Sequence, residues 1–245
     1  MTKKHMQLYG KNSVSERLRH NPKSIKKIFL QDNFNASDIE ALIRDCAIPV
    51  ERVSARILEN MQRAKNVQGI VARVQPFSYA DFPDMIRQKG KQPVLVFLDR
   101  INDPQNLGVI IRGLACFGGF GLVIPESTAC GITEAVLHVA SGGENYVPVA
   151  RVPDMPLALK TVKTQGYWVM GAVADKHARN INNIVFSFPM ALVLGAETTG
   201  ISADVEKHLD VRACIPMPGA PLSLNVAMAA TVLSHEITRQ RGSKP

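Results

Sequence analysis

The sequence predicts an α/β fold, with a parallel sheet covered on both faces in the larger C-terminal part and a small α/β unit before it. After Pro93, apolar strands and helical segments alternate, which is typical of a parallel sheet. The charge also changes, since residues 1–92 hold 17 Lys and Arg against 9 Asp and Glu, whereas residues 93–245 hold 12 against 12. A Pro- and Gly-containing stretch separates the two parts. We therefore expect an N-terminal basic unit over 1–75, a linker over 76–92 and a large domain over 93–245.

The N-terminal unit combines helical and strand patterns. Ser37 and Glu40 match a capping box at the start of a helix. The predicted helices cover 13–19 and 37–46, and the predicted strands cover 27–30, 48–53 and 70–74. The linker has a helical middle over 79–88.

The large domain begins with the continuous apolar run 94–98, which predicts a strand buried on both faces. Further strands are predicted over 120–124, 147–152, 167–172, 191–195 and 211–215. Helices are predicted over 107–116, 132–140, 156–165, just after Ser202, and 224–239. Ligands of such sheets bind at the carboxyl ends of the strands.

Composition excludes several classes of protein. Apolar residues make up 46% of the chain, which supports a packed core. No apolar run reaches the roughly 18 residues of a membrane helix, and the basic N-terminus lacks the apolar stretch of a secretion signal. The cysteines form no CxxC pair and predict buried thiols in a reducing compartment, hence a cytoplasmic protein without disulfides; they are Cys46, Cys116, Cys130 and Cys214. The six histidines form no ligand-spaced cluster, so we expect no metal.

The glycines argue against the common nucleotide-binding motifs. The loop after 94–98 lacks GxGxxG, and no P-loop is present. The Gly-rich stretch 117–121 precedes a strand and predicts a helix C-cap and turn. A basic first third attached to a neutral domain instead indicates a module that binds a polyanion, with a solvated Lys-rich surface as the alternative.

Three polar segments follow predicted strands, at 98–113, 192–202 and 215–228, and we expect them to form one site. Asn106 could bind a ligand or only cap the next helix. Glu197 lies in a tight GAETTG loop, or in a plain turn. Ser223 could cap the last helix, which explains Asn225 less easily. Arg112 lies within an apolar helix, where a guanidinium needs an anionic partner such as an RNA phosphate.

Together the three segments resemble the motifs of the SpoU (TrmH) family of RNA ribose 2′-O-methyltransferases. The matching residues are Asn106, Arg112, Gly195, Glu197, Gly200, Ser223, Leu224, Asn225 and Val226. Segments 8–14 and 68–70 are similar to the RNA-binding extension of the family. Within the family, the chain is most similar to members that modify a guanosine of large-subunit rRNA.

The resemblance implies a trefoil-knotted domain that uses S-adenosylmethionine (AdoMet) as methyl donor and needs no metal. The residues implied to line the cofactor are Leu194, Gly195, Ala196, Gly200, Ile215, Met217 and Leu224. It also implies a homodimer that acts on RNA, 23S rRNA above all, and not on a membrane. The catalytic Arg can act across the dimer interface, and helix 224–233 would form part of that interface.

The same resemblance assigns catalytic roles to Asn106, Arg112, Glu197, Ser223 and Asn225. An arginine keeps its proton up to a pH of about 12 and is a poor base. Our hypothesis is that Arg112 binds the neighbouring phosphate and stabilises the developing alkoxide, while the phosphate or a water takes the proton; a neutral Arg112 is the competing proposal. Asn106 and Asn225 would position the ribose or Arg112, Ser223 would support them, and Glu197 would orient the Arg or the RNA.

Two other functions stay open at this stage. One is methylation of tRNA, although members acting on tRNA often carry only short flanking helices. The other is a non-catalytic RNA-binding or ribosome-assembly factor. Candidate RNA contacts in the basic unit are Lys3, Lys4, Lys11, Arg17, Arg19, Lys23, Lys26 and Lys27.

Overall fold

The N-terminal part forms a four-stranded sheet. The computed structural model describes residues 5–62, 67–87, 93–175, 177–220 and 222–242. The sheet consists of β1 (Met6–Tyr9), β2 (Ile25–Gln31), β3 (Val50–Val53) and β4 (Ile70–Val74), in the order β1-β4-β2-β3. β4 is antiparallel to β1 and β2, and β3 is parallel to β2. The sequence analysis missed β1, which is only four residues long.

Helices α1 (Lys11–His20), α2 (Ser37–Asp45) and α3 (Ala55–Gln62) accompany this sheet, with a 3-10 turn at Pro22–Ser24. Helix α3 was not predicted. The predicted capping box of α2 is wrong, because Ala36 is the N-cap residue and no side chain caps the helix. Glu40 instead forms an ion pair with Arg52 at 3.2 Å.

The C-terminal part forms a seven-stranded sheet in which every described pair of strands is parallel. The strand order is β7-β6-β5-β10-β8-β11-β9. The strands are β5 (Val94–Asp99), β6 (Phe120–Pro125), β7 (Val149–Val152), β8 (Trp168–Ala172), β9 (Arg179–Asn180), β10 (Met190–Gly195) and β11 (Val211–Cys214). The predicted parallel sheet is thus confirmed, and only the two-residue edge strand β9 was missed.

The helices of this part are α4 (Phe82–Arg87), α5 (Pro104–Phe117), α6 (Glu134–Ala140), α7 (Met155–Thr164), α8 (Ala203–Glu206) and α9 (Val226–Gly242). Two 3-10 turns cover Gly143–Asn145 and Ile181–Asn183. Helix α5 ends at Gly118, whose φ of 70° suits a glycine, as the Gly-rich stretch predicted.

Both faces of the large sheet are covered. Val94, Val96 and Leu98 of β5 belong to a core shared with α5, α6 and α9, which also reaches the small sheet. Leu95 and Phe97 point to a second core with α4 and α7. The alternation follows from the two-residue period of a strand, and it explains why β5 is apolar throughout.

The described part of segment 76–92 packs against the large sheet. The Ala80 N–H donates to the Val149 carbonyl at 2.8 Å, and Met85 and Ile86 are buried beside β5. In the described ranges, no helix is long and apolar enough to cross a membrane.

The four cysteines are free thiols. The prediction that they are buried is wrong, because Cys116 is exposed and the other three are only partly buried.

Candidate active site

The three polar segments begin at one edge of the large sheet. β5, β10 and β11 are parallel members of this sheet, so their carboxyl ends lie on the same side. Leu98 pairs with Leu194 and Asp99 with Gly195 at the ends of β5 and β10. The chain leaves these strands into the loops that carry the predicted site residues.

Asn106, Glu197 and Asn225 form a hydrogen-bonded cluster at this edge. The Asn106 Nδ2 donates to Glu197 Oε1 at 3.0 Å. The Asn225 Nδ2 donates to Asn106 Oδ1 at 2.9 Å and also to Glu197 Oε1. One side chain from each segment therefore contributes to the cluster, as the sequence predicted. Each amide is held in one orientation by the carboxylate it contacts.

The caps of α5 and α9 leave the side-chain amides of Asn106 and Asn225 available for the cluster. Asp103, and not Asn106, caps α5, since its carboxylate accepts from the Gln105 N–H at 2.9 Å. Asn106 therefore lies in the first turn with its side chain free to reach Glu197. Asn225 caps α9 by accepting from the Ala227 N–H at 2.8 Å, and its Nδ2 remains for the cluster. The predicted alternatives, capping by Asn106 or by Ser223, are both wrong.

Two residues that the sequence analysis did not assign hold the Glu197 loop. Asp99 is 4% exposed, and its carboxylate accepts from the Ser202 N–H at 2.6 Å. Arg100 donates to the Gly200 carbonyl at 3.1 Å from a backbone with a φ of 62°. A charged residue at the end of an apolar strand was the available signal. Both contacts fix the loop from the end of β5.

Gly195 is required by the loop itself. A Cβ atom at this position would lie 2.2 Å from the Gly200 carbonyl carbon, and the Gly200 N–H donates to the Ala196 carbonyl at 2.7 Å. The glycine thus permits the loop to close on itself. Gly200 has a φ of 63° and open space around its Cα. Its missing side chain leaves room beside the loop.

The residues predicted to line the cofactor lie at the same edge. Leu194 is buried in β10, whereas Ile215 and Leu224 are partly buried and Met217 is 41% exposed. Leu222 in the same loop is 74% exposed. Exposed apolar side chains beside strand ends, together with the open space at Gly200, suit a ligand with an apolar part such as the adenine ring of AdoMet. The residues present therefore fit this group.

Arg112 and Ser223 are not part of the hydrogen-bonded cluster. Arg112 follows Asn106 by six residues on α5, roughly 9 Å along the axis. Arg112 is exposed, and it forms no ion pair within the described ranges. Ser223 is also exposed and precedes α9. Both side chains are accessible to a substrate.

Arg112 lies instead on the wall of a cleft of about 780 Å³ between α5 and the N-terminal part. Lys11, Glu16 and Arg19 of α1, the segment 35–39 and Ser141 line the same cleft. The cleft brings Arg112 next to predicted RNA contacts. The sequence could not indicate this, because α1 and α5 are far apart in the chain.

The predicted RNA contacts divide into several groups. Lys11, Lys23 and Lys26 are exposed, while Arg19 pairs with Glu16 at 2.6 Å. Lys27 pairs with Glu51 at 2.6 Å. Arg17 was a wrong candidate, because it is 6% exposed and forms a buried ion pair with Glu144. Lys3 and Lys4 lie outside the described residues. Within the part of the chain that the structure describes, no group of three potential metal ligands occurs.

A parallel α/β sheet with hydrogen-bonded polar side chains at its carboxyl edge, beside a basic unit, is typical of an enzyme that acts on a polyanion. The family of these enzymes follows from comparison with known proteins. Residues 93–235 match the SpoU rRNA Methylase family, and residues 7–80 match the RNA 2′-O ribose methyltransferase substrate binding family. The chain therefore belongs to the SpoU methyltransferase family, which confirms the family and the enzyme class predicted from the three segments.

Curated relatives extend over most of the chain. A 23S rRNA (guanosine-2′-O-)-methyltransferase RlmB of Xylella fastidiosa is 32% identical over 98% of this chain and 99% of its own length. The RlmB of Nitrosomonas europaea is 31% identical over 97% and 92%. An uncharacterised tRNA/rRNA methyltransferase of Synechocystis is 40% identical over 79% of this chain, which spans about half (51%) of that relative.

Solved structures share the fold. The SpoU methyltransferase AviRb of Streptomyces viridochromogenes, in complex with AdoMet, has a TM-score of 0.82 at 23% identity and covers 98% of this chain and 92% of its own. An AdoMet-bound rRNA methyltransferase of Sinorhizobium meliloti has a TM-score of 0.79 at 21% identity, over 96% and 87%. At these identities the likeness concerns the fold alone, and it confirms the predicted fold class.

Proposed function

We propose that this chain transfers the methyl group of AdoMet to the ribose 2′-hydroxyl of a guanosine in 23S rRNA. The observation that carries the proposal is the Asn106–Glu197–Asn225 cluster, in which one residue from each of the three family motifs meets the others. Similarity over nearly the whole length to the RlmB of Xylella fastidiosa supports the guanosine target.

The cofactor would bind beside the Glu197 loop. AdoMet, when bound, supplies an electrophilic methyl group, so the reaction requires no metal. Backbone groups at Leu194, Gly195 and Ala196, with the space at Gly200, would hold its polar parts. Ile215, Met217 and Leu224 would cover its apolar parts; the exposure of Met217 supports this role.

Arg112 would bind the RNA phosphate next to the target ribose. Its exposed guanidinium is available for two parallel hydrogen bonds to a phosphate. The positive charge would stabilise the negative charge that develops on the 2′ oxygen as its proton leaves and it attacks the methyl carbon, whose bond to the AdoMet sulfur breaks. The hydroxyl proton would pass to a phosphate oxygen or to water, since a guanidinium does not accept it. Asn106 and Asn225, held by Glu197, would orient the ribose, and the exposed Ser223 would support them.

The basic N-terminal unit would hold folded rRNA through its phosphates. We keep the division into residues 1–75 for RNA binding, 76–92 for the connection and 93–245 for catalysis. The match of residues 7–80 to a substrate-binding family supports the role of the first part.

A homodimer would complete the site. Val109, Arg112 and Cys116 recur at i, i+3 and i+7 and share one exposed face of α5. Met228 and Val232 are 61% and 40% exposed on α9, which packs against α5. Such an apolar face beside a catalytic Arg supports a dimer in which Arg112 acts across the interface. We retain the trefoil knot and the cytoplasmic location as further parts of this proposal.

Dimer formation is tested by sedimentation of the wild type and Met228→Glu. The variant should sediment as a monomer, because a buried carboxylate opposes association. Leu157→Glu is a matched control, since Leu157 is 60% exposed on α7, away from this face. A wild type that sediments as a monomer would contradict the dimer.

The activity is tested by transfer of labelled methyl from AdoMet to unmodified 23S rRNA and, separately, to unmodified tRNA. Label on a guanosine ribose of rRNA, absent with Arg112→Ala, is the expected result. Label on tRNA alone would assign the chain to tRNA modification instead. AdoMet binding without transfer to any RNA or ribosomal particle would favour a non-catalytic assembly factor.

A further inference from the structure

The contact between the N-terminal part and the large sheet contains a buried ion pair. Arg17 of α1 and Glu144, in the 3-10 turn Gly143–Asn145, are 6% and 5% exposed, and the Arg17 Nη2 lies 3.0 Å from Glu144 Oε1. The rings of Tyr9 and His138, which also come from the two parts of the chain, stack with centroids 4.0 Å apart. The two residues of the pair are separated by 127 positions in the sequence. The pair therefore joins two distant parts of the chain.

The turn that carries Glu144 packs against the backbone of Arg112 through Gly143. A Cβ atom on Gly143 would lie 3.0 Å from the Arg112 Cα and 3.3 Å from its backbone nitrogen, so the turn rests on α5 at this residue. The neighbouring Gly142 is equally close to α1, because a Cβ atom there would lie 2.5 Å from the Glu16 Cβ. A single glycine turn thus contacts both helices. Any change in its position alters the distance between α1 and Arg112.

Residues of both helices line the cleft described above. Lys11 and Arg19 lie on α1, and Arg112 lies on α5. Arg17 points away from the cleft into the pair with Glu144. The pair thus holds α1 in place, and the turn that carries Glu144 packs against α5.

The pair is poorly explained as a stabilising contact alone. Burial raises the pKa of Glu144, which means that its charged form is costly there. Within the described residues, Arg17 Nε and Glu144 Oε2 have no hydrogen-bond partner. A well-packed apolar pair would stabilise a protein as much or more, whereas an ion pair imposes one relative orientation.

We propose that Arg17 and Glu144 are positioning residues that fix the spacing between the basic face of α1 and Arg112, so that one RNA strand contacts both helices. This inference rests on the proposed function and deepens it. RNA bound by Lys11 on α1 is thereby positioned at the guanidinium of Arg112 on α5. Neither residue of the pair touches the RNA.

The experiment is a double-mutant cycle on RNA affinity in the full chain. Glu144→Gln keeps the shape of the side chain and removes its charge. It should weaken binding of an unmodified 23S rRNA transcript about tenfold in the wild type but less than twofold in Arg112→Ala, because the pair acts through Arg112. The kcat/KM for RNA should fall by a similar factor, with AdoMet affinity unchanged in calorimetry. The single variant Arg17→Lys keeps the charge of the pair, so it should retain most of the wild-type affinity for RNA.

Equal losses in both backgrounds, or unchanged affinity in Glu144→Gln, would overturn the positioning role. If Glu144→Gln does not fold, Arg17→Gln, which removes the charge of the other partner, enters the same cycle, with the same expected dependence on Arg112. Asp204→Asn is the control, because it breaks an exposed ion pair with Lys207 and should change neither RNA nor AdoMet binding. A wild type that methylates rRNA while the cycle is additive refutes the positioning role alone. A wild type that methylates neither rRNA nor tRNA refutes the proposed function.

Discussion

Polar residues are clustered at the large sheet of this protein and dispersed over the small one. At the carboxyl edge of the large sheet, three side chains from three segments hydrogen-bond to one another. On the small sheet and α1, the basic side chains are spread over the surface, and several pair with nearby carboxylates. We expect single substitutions in the cluster of the large sheet to have large effects on activity. Single substitutions on the basic surface of the small sheet and α1 should have small effects on RNA binding that add up.

Arg112→Ala should give the largest loss. Removing the charge that stabilises the developing alkoxide should lower kcat by about 10²–10³. Affinity for AdoMet should stay the same, because Arg112 does not lie among the cofactor-lining residues. Single-turnover methyl transfer measures the effect, and Lys26→Ala serves as the basic-surface control. If Arg112→Ala were nearly as active as the wild type, the expected difference between the site of the large sheet and the basic surface would be refuted.

Glu197→Gln tests whether the cluster acts as a unit. The substitution replaces the carboxylate oxygen that accepts from the Nδ2 groups of Asn106 and Asn225 by the neutral oxygen of an amide, a weaker acceptor. A hydrogen bond to a charged group contributes about 1.5–3 kcal/mol, whereas one between neutral groups contributes about 1 kcal/mol. Weakening both bonds should therefore lower kcat/KM by roughly 10- to 100-fold. Thr198→Ala in the same exposed loop is the matched control and should remain near wild-type activity. Equal losses in the two variants would assign the effect to the loop rather than to the carboxylate.

Gly195→Ala should lower stability at the edge of the large sheet. Its Cβ would meet the Gly200 backbone at 2.2 Å, and overpacking of this kind costs about 1–3 kcal/mol. Urea unfolding measures the loss, and AdoMet binding should weaken with it. Gly219→Ala is the control, because a Cβ atom on Gly219 would meet nothing within 4 Å beyond its chain neighbours. Similar unfolding midpoints for both variants would refute the tight closure.

The contrast also explains what the sequence could predict. Strands β5, β6 and β10 were predicted to within one residue, because strands buried on both faces are continuous apolar runs. Their parallel arrangement brought the predicted Asn106, Glu197 and Asn225 together. Caps were less predictable, since the N-cap residues of α5 and α2 are Asp103 and Ala36, and not the predicted Asn106 and Ser37.

The relation between the two parts could not be predicted. The exposure of Arg112 depends on which face of α5 packs against the sheet, and the composition of the helix does not specify this. Arg17 resembled any other basic residue of the N-terminal unit until its contact with Glu144 was seen. No local pattern links positions 127 residues apart.

Lys11→Ala should produce a small effect that sharpens the comparison. If Lys11 contacts one phosphate, the slope of log affinity against log salt should fall by about 0.7–0.9. Lys26→Ala is the matched control, because Lys26 is also exposed in the N-terminal part but does not line the cleft. RNA binding between about 50 and 200 mM salt, a range in which such slopes are measured, distinguishes the two. Identical slopes for both variants would mean that the cleft has no special part in RNA binding.

The smallest expected effect concerns the pH dependence of the contact between the two parts. The hydrogen bond donated by the Tyr146 hydroxyl lowers the pKa of Glu16 below its ordinary value of 4.5. The ionised carboxylate therefore stabilises the folded protein fully above pH 4.5, and this contribution disappears as the pH falls through the lower pKa of the folded state. Because Glu16 is partly solvent-exposed, the contribution should be only about 0.2–1 kcal/mol.

Tyr146→Phe should remove that contribution. At neutral pH the variant should melt slightly below the wild type, and the two melting curves should converge as the pH falls below the lowered pKa of Glu16. Tyr167→Phe is the matched control, because the Tyr167 hydroxyl donates to the Ile86 carbonyl and not to a carboxylate, so this variant should not reproduce the convergence. A wild-type advantage that persists at low pH would show that Tyr146 acts by packing and not through the Glu16 carboxylate.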